Sequence, residues 1–163
     1  MKDKISDKVA ELSEYLPKDN SGAPIVPINL DIILNKYQIS SYYIDFSDQN
    51  IAGALDRTER CIYINSTDPK TRRTFTIAHE LGHFFLHQNI DRDVLFRERP
   101  HNGSRGHRDP IETEADLFAA QLLMPEATIR VFWSFAESIQ QLADIFSVSY
   151  IAMKTRLQYL GFI

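Results

Sequence analysis

The stretch FTIAHELGHFFLHQ, residues 75–88, sets His79, His83 and His87 at intervals of four within a run of helical periodicity. His79-Glu80-Leu81-Gly82-His83 fits H-E-x-x-H. Residues four apart share a helix face about 6 Å apart along the axis, so two imidazoles can converge on one ion at about 2.0–2.1 Å each. Glu80, one step round the helix, can reach a water on that ion without being a ligand. His87 lies about 12 Å from His79 along the axis, too far for a shared ion. It is expected to cap the helix end, where an imidazole meets orphan carbonyls, or to line the approach to the site.

Two histidines and a glutamate also occur on ordinary helices, so a third ligand is required. The three-histidine extension of the motif would place Gly at 85 and His at 89, where this chain has Phe85 and Asn89. A second strong helix begins at Asp109-Pro110, and IETEADLFAAQLLM sets Ile111, Ala115, Phe118, Ala119, Leu122 and Leu123 on one face before Pro125 stops it. Glu112 and Asp116 stand four apart on it. Such a pair lets Glu112 bind a metal while Asp116 accepts the outer N–H of a ligating histidine. Glu114 points about 200° away from Glu112 and should miss the ion. Glu112 has a second reading as a first-turn capping carboxylate three residues after Asp109. The motif's missing ligand favours the first.

The remaining elements are modest. Ile5, Val9, Leu12 and Leu16 mark a short amphipathic helix over residues 4–16, and residues 28–37 repeat the spacing. SSYYIDF, IAGALDR and CIYINS read as three short strands of an antiparallel sheet. Asp68-Pro69 should start the histidine helix, which runs to about Gln88. The loop over 91–110 carries Arg92, Arg97, Arg99, Arg105 and Arg108 nearly balanced by acids, with one short strand over 94–97. It reads as a lid or recognition loop, or as an ordinary flexible loop. The 163 residues suit one domain, 1–163, with a core over 25–125 and a helical segment over 126–163. The expected fold is α+β: a small antiparallel sheet beside the H-E-x-x-H helix, with a C-terminal helical cluster.

A net charge of −4 argues against whole-protein attraction to nucleic acid or an anionic membrane. Cys61 is alone and is read as buried bulk in its strand. With no signal-peptide pattern and no apolar run near the roughly 20 residues that cross a bilayer, a cytoplasmic location is expected.

RRTFTIAHELGHFFLH, followed by ETEADLFAAQLLMP, resembles the ImmA/IrrE family of zinc metallopeptidases. The likeness extends upstream through CIYINSTDP and downstream to LADIFSVSYIAMKTRLQYLGF, about residues 25–162. It implies Zn2+ held by His79, His83 and Glu112, with Glu80 as the catalytic glutamate and no departure at those positions. It also implies a cytoplasmic bacterial or mobile-element protein that relieves repression by cleaving a helix-turn-helix repressor. The donor for the oxyanion is left open among Tyr42, Tyr43, His101 and His107, candidates by side-chain type alone.

Residues 137–160 also read as a helix-turn-helix, with Leu142, Ala143, Phe146, Val148, Met153 and Leu157 inside and Lys154, Thr155 and Gln158 outside. Packing or partner docking is favoured over DNA contact, with Phe132 and Trp133 as anchors. Two rival functions remain: a regulatory or DNA-binding protein with a structural metal, and an antitoxin-like binding partner.

Overall fold

The computed structural model describes residues 2–90, 94–98 and 109–163. Their order is α1 (Lys2–Ser13), α2 (Leu30–Lys36), β1 (Ser40–Ile44), β2 (Ile51–Asp56), β3 (Cys61–Asn65), α3 (Lys70–Leu86), β4 (Val94–Glu98), α4 (Pro110–Leu123), α5 (Glu126–Trp133), α6 (Ile139–Phe146) and α7 (Tyr150–Leu160). The architecture is α+β. Residues 91–93 and 99–108, including His101 and His107, lie outside the described residues.

The sheet departs from expectation. Its order is β1-β3-β2-β4, and β1 runs parallel to β3 while β2 pairs antiparallel with both β3 and β4. The sheet is therefore mixed rather than antiparallel, and the strand expected at 94–97 extends it at one edge. Burial explains the order. Ala52 to Leu55 of β2 are all buried, as suits a central strand covered on both faces, whereas Ser40, Tyr42, Tyr43 and Ile44 of β1 are exposed. A strand of this kind gains little from the centre and takes the edge beyond β3. From β1 the chain runs through β2 before it returns as β3 between the two, which makes the β1–β3 pair parallel.

Helices α1 and α4 follow their apolar spacing. Ile5, Val9, Leu12 and Leu16 are buried, and α1 packs on α4, where Ser6 Oγ donates to Gln121 Oε1 at 3.2 Å. Asp109 caps α4 as expected, its carboxylate accepting from the Ile111 amide at 3.1 Å. At α3, Pro69 instead takes the capping position without a side-chain bond, and Asp68 is drawn to Arg72 Nη1 at 3.3 Å. Cys61 is half-buried rather than buried.

The C-terminal segment forms three short helices. Ser138 and Ser149 cap α6 and α7, and Ser147 turns the chain between them with φ of 52°. Phe132 meets Phe146 with centroids 6.1 Å apart and Trp133 meets Phe162 at 5.4 Å, the anchoring expected of these aromatics. Buried Arg156 of α7 donates from Nε to the Met124 carbonyl at 3.2 Å, so a cation meets the negative end of α4. None of the described helices is long and apolar enough to cross a membrane.

Candidate metal centre

Helix α3 is sandwiched between the sheet and α4, and two glycines set both distances. A Cβ at Gly53 of β2 would lie 2.4 Å from Thr76 Cγ2, 2.9 Å from the Tyr63 carbonyl oxygen and 3.5 Å from Glu80 Oε1. On the other side, a Cβ at Gly82 would lie 3.1 Å from Ala115 Cα and 3.2 Å from Phe118 Cδ1. Gly53 lets the sheet close on Glu80, and Gly82 lets α4 approach the histidines.

That approach brings three side chains together. His79 Nε2 lies 3.0 Å from His83 Nε2, and Glu112 places Oε2 at 3.2 Å from His79 Nε2 and Oε1 at 3.1 Å from His83 Nε2. The donor atoms of His79, His83 and Glu112 all lie within 4.8 Å of one another, an arrangement able to hold a metal ion. Both histidines are buried, while the Glu112 side chain is 37% exposed, so the site opens towards α4. The helix start is capped by Asp109, which leaves Glu112 free to face the imidazoles.

The outer ring of contacts fixes which atoms face inward. His79 Nδ1 lies 2.8 Å from Asp116 Oδ1. A carboxylate only accepts, so Nδ1 carries a proton towards Asp116, and as a metal ligand the ring would keep that proton and turn the Nε2 lone pair to the ion. Donor atoms this close need positive charge between them, a proton where no metal is bound and the ion where one is. Two imidazoles and a carboxylate are the nitrogen and oxygen donors that a divalent transition metal takes.

Electrostatics divide the carboxylates. Burial raises the Glu80 carboxyl to about 7, with His79 and Arg97 only partly offsetting it. Both its oxygens are buried without a hydrogen-bond partner among the described residues. Burial opposes ionisation of Glu112 too, but hydrogen bonds from His79 and His83 outweigh it and hold that carboxyl well below its usual range. For His79, burial opposes the charged ring, yet Asp116 and Glu112 raise its pKa overall.

His87 does not take up the helix-end carbonyls with its imidazole, the first of its two expected roles. Its backbone N–H closes α3 by donating to the His83 carbonyl at 3.1 Å, but its imidazole turns inward to His83 and Glu114. Arg57, from the turn after β2, takes the carbonyls instead, donating from Nη2 to His83 O at 2.7 Å and from Nη1 to Phe84 O at 3.5 Å. Burial lowers the His87 pKa against the pull of Glu114. Arg97 is a further residue that spacing did not single out. It donates to Thr76 Oγ1 at 3.1 Å and places Nη2 at 3.5 Å from Asp116 Oδ1, tying β4 to both helices. Tyr42 and Tyr43 make their ring contacts with Tyr63 and Arg73, on the β1 side of the sheet.

Comparison with known proteins places this geometry in context. Residues 34–158 match the family described as the IrrE N-terminal-like domain. The chain is 27% identical over 128 residues to metallopeptidase ImmA of Bacillus subtilis, covering 76% of this chain and 73% of that protein. It is 39% identical over 79 residues to the radiation response metalloprotease IrrE of Deinococcus radiodurans, covering 47% of this chain and 23% of that protein. An uncharacterized immunity region protein 2 of Bacillus phage phi105 is 32% identical over 99 residues, covering 56% and 60%. A Mycobacterium tuberculosis transcriptional regulator of known structure shares the fold, with a TM-score of 0.63 at 16% identity over 96% of this chain and 47% of that one. With most of its length matched and its histidines and glutamate gathered into one potential metal site, this chain belongs to the ImmA/IrrE family of metallopeptidases.

Proposed function

We propose that this protein is a zinc-dependent, site-specific endopeptidase that acts in the cytoplasm on a helix-turn-helix transcriptional repressor and thereby relieves repression. The observation carrying this reading is the convergence of His79, His83 and Glu112 beside Glu80, a fully buried carboxylate with both oxygens unpartnered among the described residues. An ordinary structural helix would have no reason to bury such a group. The substrate class comes from the family resemblance.

Zinc suits the three donors, and when bound it supplies a Lewis acid and a water of lowered pKa. The remaining work falls to the chain. Glu80, whose carboxyl burial raises to about 7 in the metal-free site, is placed to take a proton from an attacking water and return one to the departing amine. Glu112 stays ionised across that range. Asp116 holds the His79 tautomer that faces Nε2 inward, and Arg97 lies beside Asp116. The half-exposed Glu112 side gives a substrate backbone its way in. Arg156, buried against the end of α4, supports the reading of α6 and α7 as packed helices rather than a free DNA reader.

The test is incubation of the zinc-loaded protein with the helix-turn-helix repressor encoded beside it, followed by mass spectrometry of the products. Two fragments from one bond are expected, with cleavage stopped by a chelator and restored by zinc. An intact repressor, or cleavage indifferent to chelation, would contradict the proposal.

A further inference from the structure

The two imidazoles facing the metal position are held from behind in different ways. His79 has a carboxylate on its outer nitrogen, with Asp116 Oδ1 at 2.8 Å from Nδ1. His83 has another histidine, with His87 Nδ1 at 2.9 Å from its own Nδ1. His87 in turn places Nε2 at 3.0 Å from Glu114 Oε2.

The donor directions along this chain are determined by its end. The Glu114 carboxylate can only accept, so His87 carries its proton on Nε2 and, as a neutral ring, offers a lone pair at Nδ1. That lone pair needs a proton from His83 Nδ1. His83 is then left with a lone pair at Nε2, the atom that lies 3.1 Å from Glu112 Oε1. One carboxylate thus sets the tautomers of two successive imidazoles. Both His83 and His87 are buried, at 1% and 6% exposure, so water does not compete for these bonds.

We propose that His87 and Glu114 are positioning residues that orient His83 for metal binding, as Asp116 does for His79. The inference rests on the metal-site reading above. Helix α4 then serves α3 at three stations: Glu112 between the inner nitrogens, Asp116 behind His79, and Glu114 behind His83 through His87. Both nitrogens of His87 are engaged, and Glu114 meets His87 rather than the inner nitrogens, so neither belongs to the group of donors that could hold the ion.

The test is zinc affinity by chelator competition, with thermal unfolding of the metal-free proteins as a separate readout. His87→Phe keeps the ring's bulk but removes the acceptor, and should weaken zinc binding by about 10- to 100-fold, as loss of a histidine's outer partner typically does. His87→Gln offers an oxygen to His83 and an N–H to Glu114, and should recover most of the affinity. Glu114→Ala should weaken binding in the wild-type background and have little further effect in His87→Phe, because it acts through that ring. Affinity of His87→Phe within twofold of wild type would overturn the inference while leaving the metal site intact. Equal losses in the Phe and Gln variants, matched by equal metal-free destabilisation, would also overturn it in favour of packing alone. Failure of the wild-type protein to bind zinc would remove both this inference and the reading beneath it.

Discussion

Gly82→Ala tests whether the α3–α4 approach builds the site. On helix propensity alone, replacing an interior glycine by alanine should stabilise α3 by roughly 0.8–1 kcal/mol. The packing opposes this. The new Cβ would stand 3.1 Å from Ala115 Cα, 3.2 Å from Phe118 Cδ1 and 3.3 Å from the Ala115 carbonyl oxygen. Two of those atoms are backbone, so relief requires α4 to move by a few tenths of an ångström rather than a side chain to rotate. Overpacking of this kind costs about 1–3 kcal/mol, which after the propensity gain leaves a net loss of about 1 kcal/mol. The same displacement carries Glu112 and Asp116 away from the histidines, so zinc affinity should fall as well. Urea unfolding of the metal-free protein and chelator competition would measure the two effects. A variant that is more stable than wild type and binds zinc equally well would refute the argument that Gly82 sets the spacing of the site.

The other expectations can be checked by similar means. Glu112→Ala should lower zinc affinity, with Asp109 still capping the start of α4; an unchanged affinity would return Glu112 to a structural role. In the metal-free protein, Glu80 keeps its proton from its ordinary 4.5 up to about 7 while the unfolded chain releases it. Stability should therefore fall as pH rises through that window, by on the order of 3 kcal/mol, and the fall should be smaller in Glu80→Gln; urea unfolding at pH 5 and pH 7.5 would show a flat wild-type profile if this is wrong. Arg57→Ala removes the donor to the His83 and Phe84 carbonyls and should cost about 1.5 kcal/mol in unfolding free energy, with no loss indicating that water replaces it.

What the sequence conveyed depended on whether the determining interaction was local. The two central helices announce themselves because apolar residues recur at helical spacing, and four-residue intervals bring His79 and His83, and Glu112 and Asp116, onto shared faces. Asp109-Pro110 reads correctly as a helix start for the same reason. Strand order is different. Which neighbour β1 takes depends on competition for the buried centre, won by Ile51–Asp56, and no pattern within SSYYI encodes that outcome. His87 is similar. Its imidazole could have capped α3 until Arg57, some 30 residues earlier, took those carbonyls and left it to face His83. The angle that turns Glu114 away from Glu112 on α4 directs it to His87. The close fits at Gly53 and Gly82 are likewise tertiary, visible only once the elements are packed.

The central claim is that His79, His83 and Glu112 hold the metal while Glu80 is left free to move the proton. The most direct measurement is zinc content and repressor cleavage determined on the same preparation of Glu80→Gln. One zinc per chain with no detectable cleavage is the expected result. Cleavage at the wild-type rate, or loss of the zinc with the substitution, would contradict the assignment.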